Sequence, residues 1–222
     1  AVMFGVVAGN FALYGILSGF TSIPTTLLLI LGIGALATTL GQRKAMLIGS
    51  CGEIIVCALL SALWLFGNPT SMDNGNGGLA FGFFTIAYII LTIAMGGFQG
   101  VAGNIVIPMT ADCADYEVYR TGKYVPGMMG TLFSFVDKVI SSLAPMIAGL
   151  MFSAIGFKEA LPDASTPYNT SLHYVGVFLM YGMIIIGCLC NVVALKFYPL
   201  TKEKMEEIQE EIAAIKAKAM QE

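Results

Sequence analysis

Long apolar stretches constrain this chain more than any other feature. They run from about Ala1 to Phe20, Ile23 to Leu40, Ala45 to Phe66, Leu79 to Pro108, Gly127 to Phe157, and His173 to Tyr198. A helix needs roughly 20 apolar residues to cross about 30 Å of hydrocarbon, whereas a membrane strand needs only about 10. Inside a bilayer the backbone must bond to itself, and a helix does so within one segment. The reading is therefore an all-α membrane protein, with a six-helix transmembrane bundle over 1–200 and a separate tail over 201–222. Composition agrees: 57% of residues are hydrophobic and 11% charged, against about 25% charged in soluble domains. Twenty-six glycines suit closely packed membrane helices. Pairs such as Gly96 and Gly100 are read as packing faces.

The basic residues set an orientation. Arg43 and Lys44 follow the second span and Arg120 and Lys123 the fourth. Lys196, Lys202, Lys204, Lys216 and Lys218 come at or after the end of the sixth. If every span crosses once, all these positions share one side, and the other side has only Lys158. An excess of Lys and Arg marks the cytoplasmic side. The expected protein is integral and multi-pass in a bacterial inner or plasma membrane, with Ala1, the 111–125 loop and the C-terminus in the cytoplasm. Ala1 already lies in an apolar run with no charged region and cleavage site ahead of it, so it does not read as a signal peptide. A missing N-terminal part is expected.

Several function classes fall away. No basic patch suits nucleic acid. The five cysteines form no C-x-x-C, so neither a disulfide nor a metal site is expected. No phosphate loop, nucleophile elbow or His-Glu-x-x-His helix occurs, so the chain reads as no enzyme and needs no cofactor. The tail places Ile208, Ile212, Ile215 and Ala219 at helical spacing against Glu and Lys, which predicts an amphipathic helix covering the cytoplasmic face. Thr201 can cap it.

Ionisable residues at membrane depth are costly and face a bundle interior or water. Glu53, Asp137 and Lys138 qualify. At 1.5 Å per residue, Lys138 lies roughly 16 Å along its helix from Gly127, near the midplane where transporters hold substrate. Ser134 lies four residues before it on the same face. Asp137, Lys138, Ser134, Asn104 and Gln99 are candidate substrate-path residues, and Glu53 is a candidate intramembrane partner for Lys138. Trp64 reads as an interface anchor and His173 as a solvated surface residue.

The stretch Ala111-Asp112-Cys113-Ala114-Asp115-Tyr116-Glu117, followed by Arg120-Thr121-Gly122-Lys123, resembles the A-D-x-x-D-Y-x-x-x-x-T-G loop of the glycoside–pentoside–hexuronide:cation symporters of the major facilitator superfamily. The family's next helix commonly carries a lysine, and Lys138 fits that position. Gly41-Gln42-Arg43-Lys44 and Tyr198-Pro199-Leu200-Thr201 resemble its basic turn and its exit from the last helix. Asp137 departs from the apolar residue expected beside the lysine. The resemblance implies the C-terminal six-helix half of a twelve-helix transporter that carries a sugar or glycoside with a cation by alternating access. It implies as partners a missing N-terminal six-helix half, the bilayer and a small sugar. The main site for the coupling cation, Na⁺ or H⁺, would lie outside this chain. Asp112, Asp115, Tyr116, Arg120, Thr121, Gly122 and Lys123 would form a cytoplasmic loop or gate. The alternative is a non-transporting membrane sensor or scaffold on the same fold.

Overall fold

The computed structural model describes residues 2–76, 78–122, 126–158, 160–163 and 166–219. Its elements are α1 (Val2–Val6), α2 (Ala12–Leu40), α3 (Gln42–Phe66), a 3₁₀ turn (Pro69–Met72), α4 (Phe83–Thr121), α5 (Pro126–Ala154), α6 (Thr170–Val177), a π turn (Phe178–Gly182), α7 (Met183–Phe197) and α8 (Lys202–Ala219). No strand forms among the described residues.

Five helical segments are long and apolar enough to cross a membrane: α2, α3, α4, α5 and the continuous α6–π–α7 unit. Six were expected, and the difference lies at the start. The expected span from Ala1 to Phe20 breaks at Gly9, where φ is +83°. Asn10 then starts α2, its Oδ1 accepting the Ala12 N–H at 2.9 Å. The break expected between Phe20 and Ile23 is absent. Thr21 and Ser22 fold their hydroxyls back onto the Leu17 and Gly19 carbonyls, at 2.9 and 3.1 Å, and α2 runs on through Pro24. Ala1 itself lies outside the described residues. The short α1 sits at the end of the bundle opposite Gly41 and α8, with Met3 against Gly176 of α6, rather than at the end of the C-terminal tail as expected.

Helix α3 is the hub. It buries Ala45, Gly49, Glu53, Val56, Leu60 and Trp64, a spacing of three and four that makes one continuous face. That face meets α4 and α7. A Cβ on Gly49 would stand 3.3 Å from backbone atoms of Phe98 and Ala102, so the glycine lets the α3 and α4 backbones approach. Thr25 and Leu29 of α2 lie over Gly96 and Gly100 of α4, the packing role expected for that pair. The main core is aromatic at the α1 end. Trp64 packs edge-on to Phe4 at 5.3 Å and to Tyr88 at 6.1 Å. Trp64 is fully buried and is no interface anchor.

The chain reverses between α2 and α3 on one residue, Gly41, at φ +79°. At the same end, Arg43 Nε donates to the Leu195 carbonyl of α7 at 3.1 Å. That carbonyl lies in the last turn of its helix, where partners are lacking and a cation is favoured. The basic turn thus ties α3 to α7.

The charged 111–125 stretch is not a loop over most of its length. Helix α4 continues to Thr121 because neither glycine nor proline falls between Met109 and that residue. Gly122 ends it in the left-handed conformation, φ +70°, its N–H donating to the Val118 carbonyl at 2.8 Å. This is a glycine C-cap, and it gives the Thr-Gly of the motif a structural reason. At about 58 Å, α4 is nearly twice the thickness of the hydrocarbon core.

Candidate functional site

Helix α5 carries the polar stripe. Ser134, Asp137 and Lys138 are all exposed, and so is every residue from 131 to 146. The helix stands off from the bundle. A cavity of about 400 Å³ separates its inner side from α3, α4 and α7, lined by Met129, Phe133, Met46, Met109, Cys113 and Tyr198 among others. No ion pair joins Lys138 to Asp137 or to Glu53 among the described residues. At about 100° per residue, Lys138 falls across the helix from the cavity-lining Leu132, Phe133 and Val136, and Asp137 falls to one side.

Glu53 is elsewhere. It is buried in the α3–α7 contact, where Cys188 Sγ donates to its Oε2 at 3.3 Å. One turn away, Asn191 Nδ2 donates to Ser50 Oγ at 2.7 Å. These two contacts are interhelical bonds within the packed interface. Gln99 is exposed on α4. Asn104 is exposed too, and its Nδ2 is turned onto the Gly100 carbonyl at 2.8 Å.

Sequence reasoning missed a second stripe. On α2, Tyr14, Ser18, Ser22 and Thr26 recur every four residues and all are exposed. Phe20, Ile23 and Leu27 occupy the other exposed arc. At about 100° per residue, the two sets fall on opposite sides of the helix. Each of the three smaller hydroxyls bonds a carbonyl of its own helix, so hydroxyls are tolerated singly at membrane depth. The four-residue period was the available signal, and it was hidden by the erroneous break at Phe20.

The motif residues sit on the far end of α4 and meet α8. Gln209 Nε2 donates to Asp115 Oδ2 at 2.6 Å. Leu200, Ile208 and Ile212 are buried against Cys113, Tyr116, Val118 and Tyr119. Lys204 Nζ lies 5.3 Å from the Tyr119 ring centroid. Tyr116 and Tyr119 stack, with centroids 6.3 Å apart. Asp112 lines a cavity of about 270 Å³ with Gln42, Lys202 and Gln209. Arg120 is exposed, and Thr121 Oγ1 donates to the Glu117 carbonyl at 2.9 Å. Lys123 lies outside the described residues. At the opposite end, His173 was expected to be solvated. It bridges instead, with Nε2 3.1 Å from the Trp64 carbonyl and Nδ1 3.3 Å from the Tyr168 hydroxyl. The carbonyl can only accept, so Nε2 carries the proton.

The exposed Asp137 and Lys138 of α5 are costly against hydrocarbon, whereas the back-bonded hydroxyls of α2 are tolerated there. Residues 3–202 match the family described as MFS/sugar transport protein. The chain belongs to that family. The resemblance to the glycoside–pentoside–hexuronide symporters read from Ala111–Lys123 stands with it. Among curated proteins, the chain is similar to the glucuronide carrier protein homolog of Escherichia coli (strain K12), at 30% identity over 131 residues, which is 57% of this chain and 26% of that protein. The chain thus spans about a quarter of the length of that relative. No solved structure matches. The family is one of transporters rather than enzymes, and the five long apolar segments make the chain an integral, multi-pass membrane protein.

Proposed function

We propose that this chain forms one wall of the substrate path of a sugar or glycoside transporter, completed by a second helical bundle outside the chain. The observation that carries the reading is the α5 stripe. Lys138 and Asp137 lie at mid-span, exposed, with no counter-ion among the described residues. Charges so placed are stable only against water, a polar partner or a charged ligand. The curated relative is named for glucuronides. A hexuronide carries a carboxylate that an ammonium can hold, and its hydroxyls suit Ser134 and Asp137. Lys138 is assigned to the carboxylate, and Asp137 and Ser134 to ring hydroxyls, with Gln99 and Asn104 further along the wall. The bundle carrying Arg43, Arg120 and Lys202 at one end is oriented with that end in the cytoplasm. Transport proceeds by alternating access, two bundles rocking about the midplane site. The coupling cation, Na⁺ or H⁺, is held by groups outside this chain.

The test is uptake of methyl β-D-glucuronide and of neutral sugars by vesicles containing the full-length protein, at varied Na⁺ and pH. Lys138→Ala should lower glucuronide uptake by roughly thirtyfold or more, the scale of removing one member of a buried charge pair, with insertion unchanged. Normal kinetics in that variant would remove Lys138 from the path.

A further inference from the structure

Between α2, α4 and the π turn lies a cavity of about 230 Å³ that the path described above does not use. Its walls are Phe4, Tyr14, Tyr88 and Tyr181, with Met95 and Met180 among the remaining lining residues. Tyr181 reaches it from the π turn, where the α6–α7 helix takes an extra residue per turn. Such bulges recur at functional sites. Phe4 meets Tyr14 at 5.9 Å and Tyr88 at 5.7 Å, which frames the cavity with ring edges and faces. Ser18 and Thr21 of α2 also line it. Ser18 and Tyr14 are exposed, so the mouth opens onto the polar arc of α2. Among the described residues, no charged side chain lines the cavity.

That chemistry discriminates among ligands. A carboxylate would be desolvated there without a counter-charge. Aromatic rings and thioethers favour another flat, polarisable ring. An apolar cavity of about 150 Å³ already accepts benzene, so this one has room for a single substituted ring. A glucuronide is a sugar acid joined to an aglycone. We infer that this cavity is a subsite for the uncharged aromatic aglycone of a glycoside, separate from the charged stripe on α5. The inference rests on the transport reading for its biological ligand, but the cavity can be tested without transport.

The probe is 4-azidophenol, photolysed with the purified full-length protein and mapped by mass spectrometry. Labelling is expected on the segments holding Tyr88 and Tyr181, displaced by phenol. Thr92→Leu fills the cavity from within, and Ser18→Leu obstructs it from the exposed rim, where folding is little at risk. Each should reduce labelling about tenfold, the scale of lost ring contacts, while Tyr181→Phe should leave it intact. Unchanged labelling in both leucine variants, labelling elsewhere, or displacement by phospholipid but not by phenol would overturn the inference. Uptake gives the second readout. The ratio of phenyl to methyl β-D-glucuronide KM should move toward one in Thr92→Leu, with methyl glucuronide uptake unchanged. Phenol-displaceable labelling in a protein that carries no glucuronide would retain the aromatic site and discard the transport reading.

Discussion

Two glycines do comparable conformational work and differ in what surrounds them. Gly41 and Gly122 both hold positive φ, at +79° and +70°. A Cβ on Gly41 would stand 2.8 Å from Lys202 Cβ, whereas nothing lies within 4 Å of one on Gly122. Gly122→Ala should therefore carry the backbone penalty alone, about 1 kcal/mol. Gly41→Ala should exceed it, because α8 must also shift. Thermal unfolding of both variants in one detergent checks the order, and equal losses would mean that Lys202 yields freely. At this scale the sequence was readable where chemistry is local. The Gly-Gln-Arg-Lys turn and the Thr201 cap (Lys204 N–H to Oγ1, 3.3 Å) both follow from short-range rules. Trp64 and His173 were misread because their partners, Phe4 and Tyr88 for one and Tyr168 and the Trp64 carbonyl for the other, depend on how distant helices meet.

Helix α8 is a docked element. Its apolar face, Ile208 and Ile212, is buried on the end of α4. Ile208 is fully buried, and its removal to Ala should cost about 2–5 kcal/mol, enough to free the helix while the bundle stays folded. Limited proteolysis within 202–219 should accelerate in Ile208→Ala, and an unchanged rate would place the docking energy elsewhere. Acid should act in the same direction. The Glu203 carboxyl is held below its ordinary range by a backbone N–H at the helix start and by the Thr201 hydroxyl. A depressed carboxylate contributes above its unfolded value, and that contribution is lost as pH falls through the lowered one. The acid limb of α8 release should flatten in Glu203→Gln. The tail was legible as an amphipathic helix from its isoleucine spacing. Its seat was not, because the charged composition of 111–125 read as a loop when continuous helix was compatible with every residue through Thr121.

Across the spanning segments, α2 and α5 carry polar stripes outward, whereas α3, α4 and α7 expose large apolar side chains such as Ile55, Leu59, Ile90, Ile107 and Leu189. That arrangement predicts a pattern of solvent access in the full-length protein. Single cysteines at Ser22 and Lys138 should react with a water-soluble maleimide in membranes, and cysteines at Ile23 and Leu27 should not. Equal reactivity on both arcs of α2 would mean that the helix is not positioned between path and lipid. The fold class was evident from the apolar runs, since length and composition decide whether a helix can span. The number of crossings was not, because one φ at Gly9 and two back-bonded hydroxyls moved a boundary by about a dozen residues. The length of α4 has a mechanical consequence. Beyond Pro108, where the ring removes one backbone hydrogen bond, about 20 Å of helix projects toward Gly122. It works as a lever arm: a 10° tilt at the proline would sweep its tip through roughly 3–4 Å by the same rise per residue. Through the Asp115–Gln209 hydrogen bond and the close approach of Lys202 to Gly41, such a tilt would reach the turn between α2 and α3, so the ends of three helices on that side would move together.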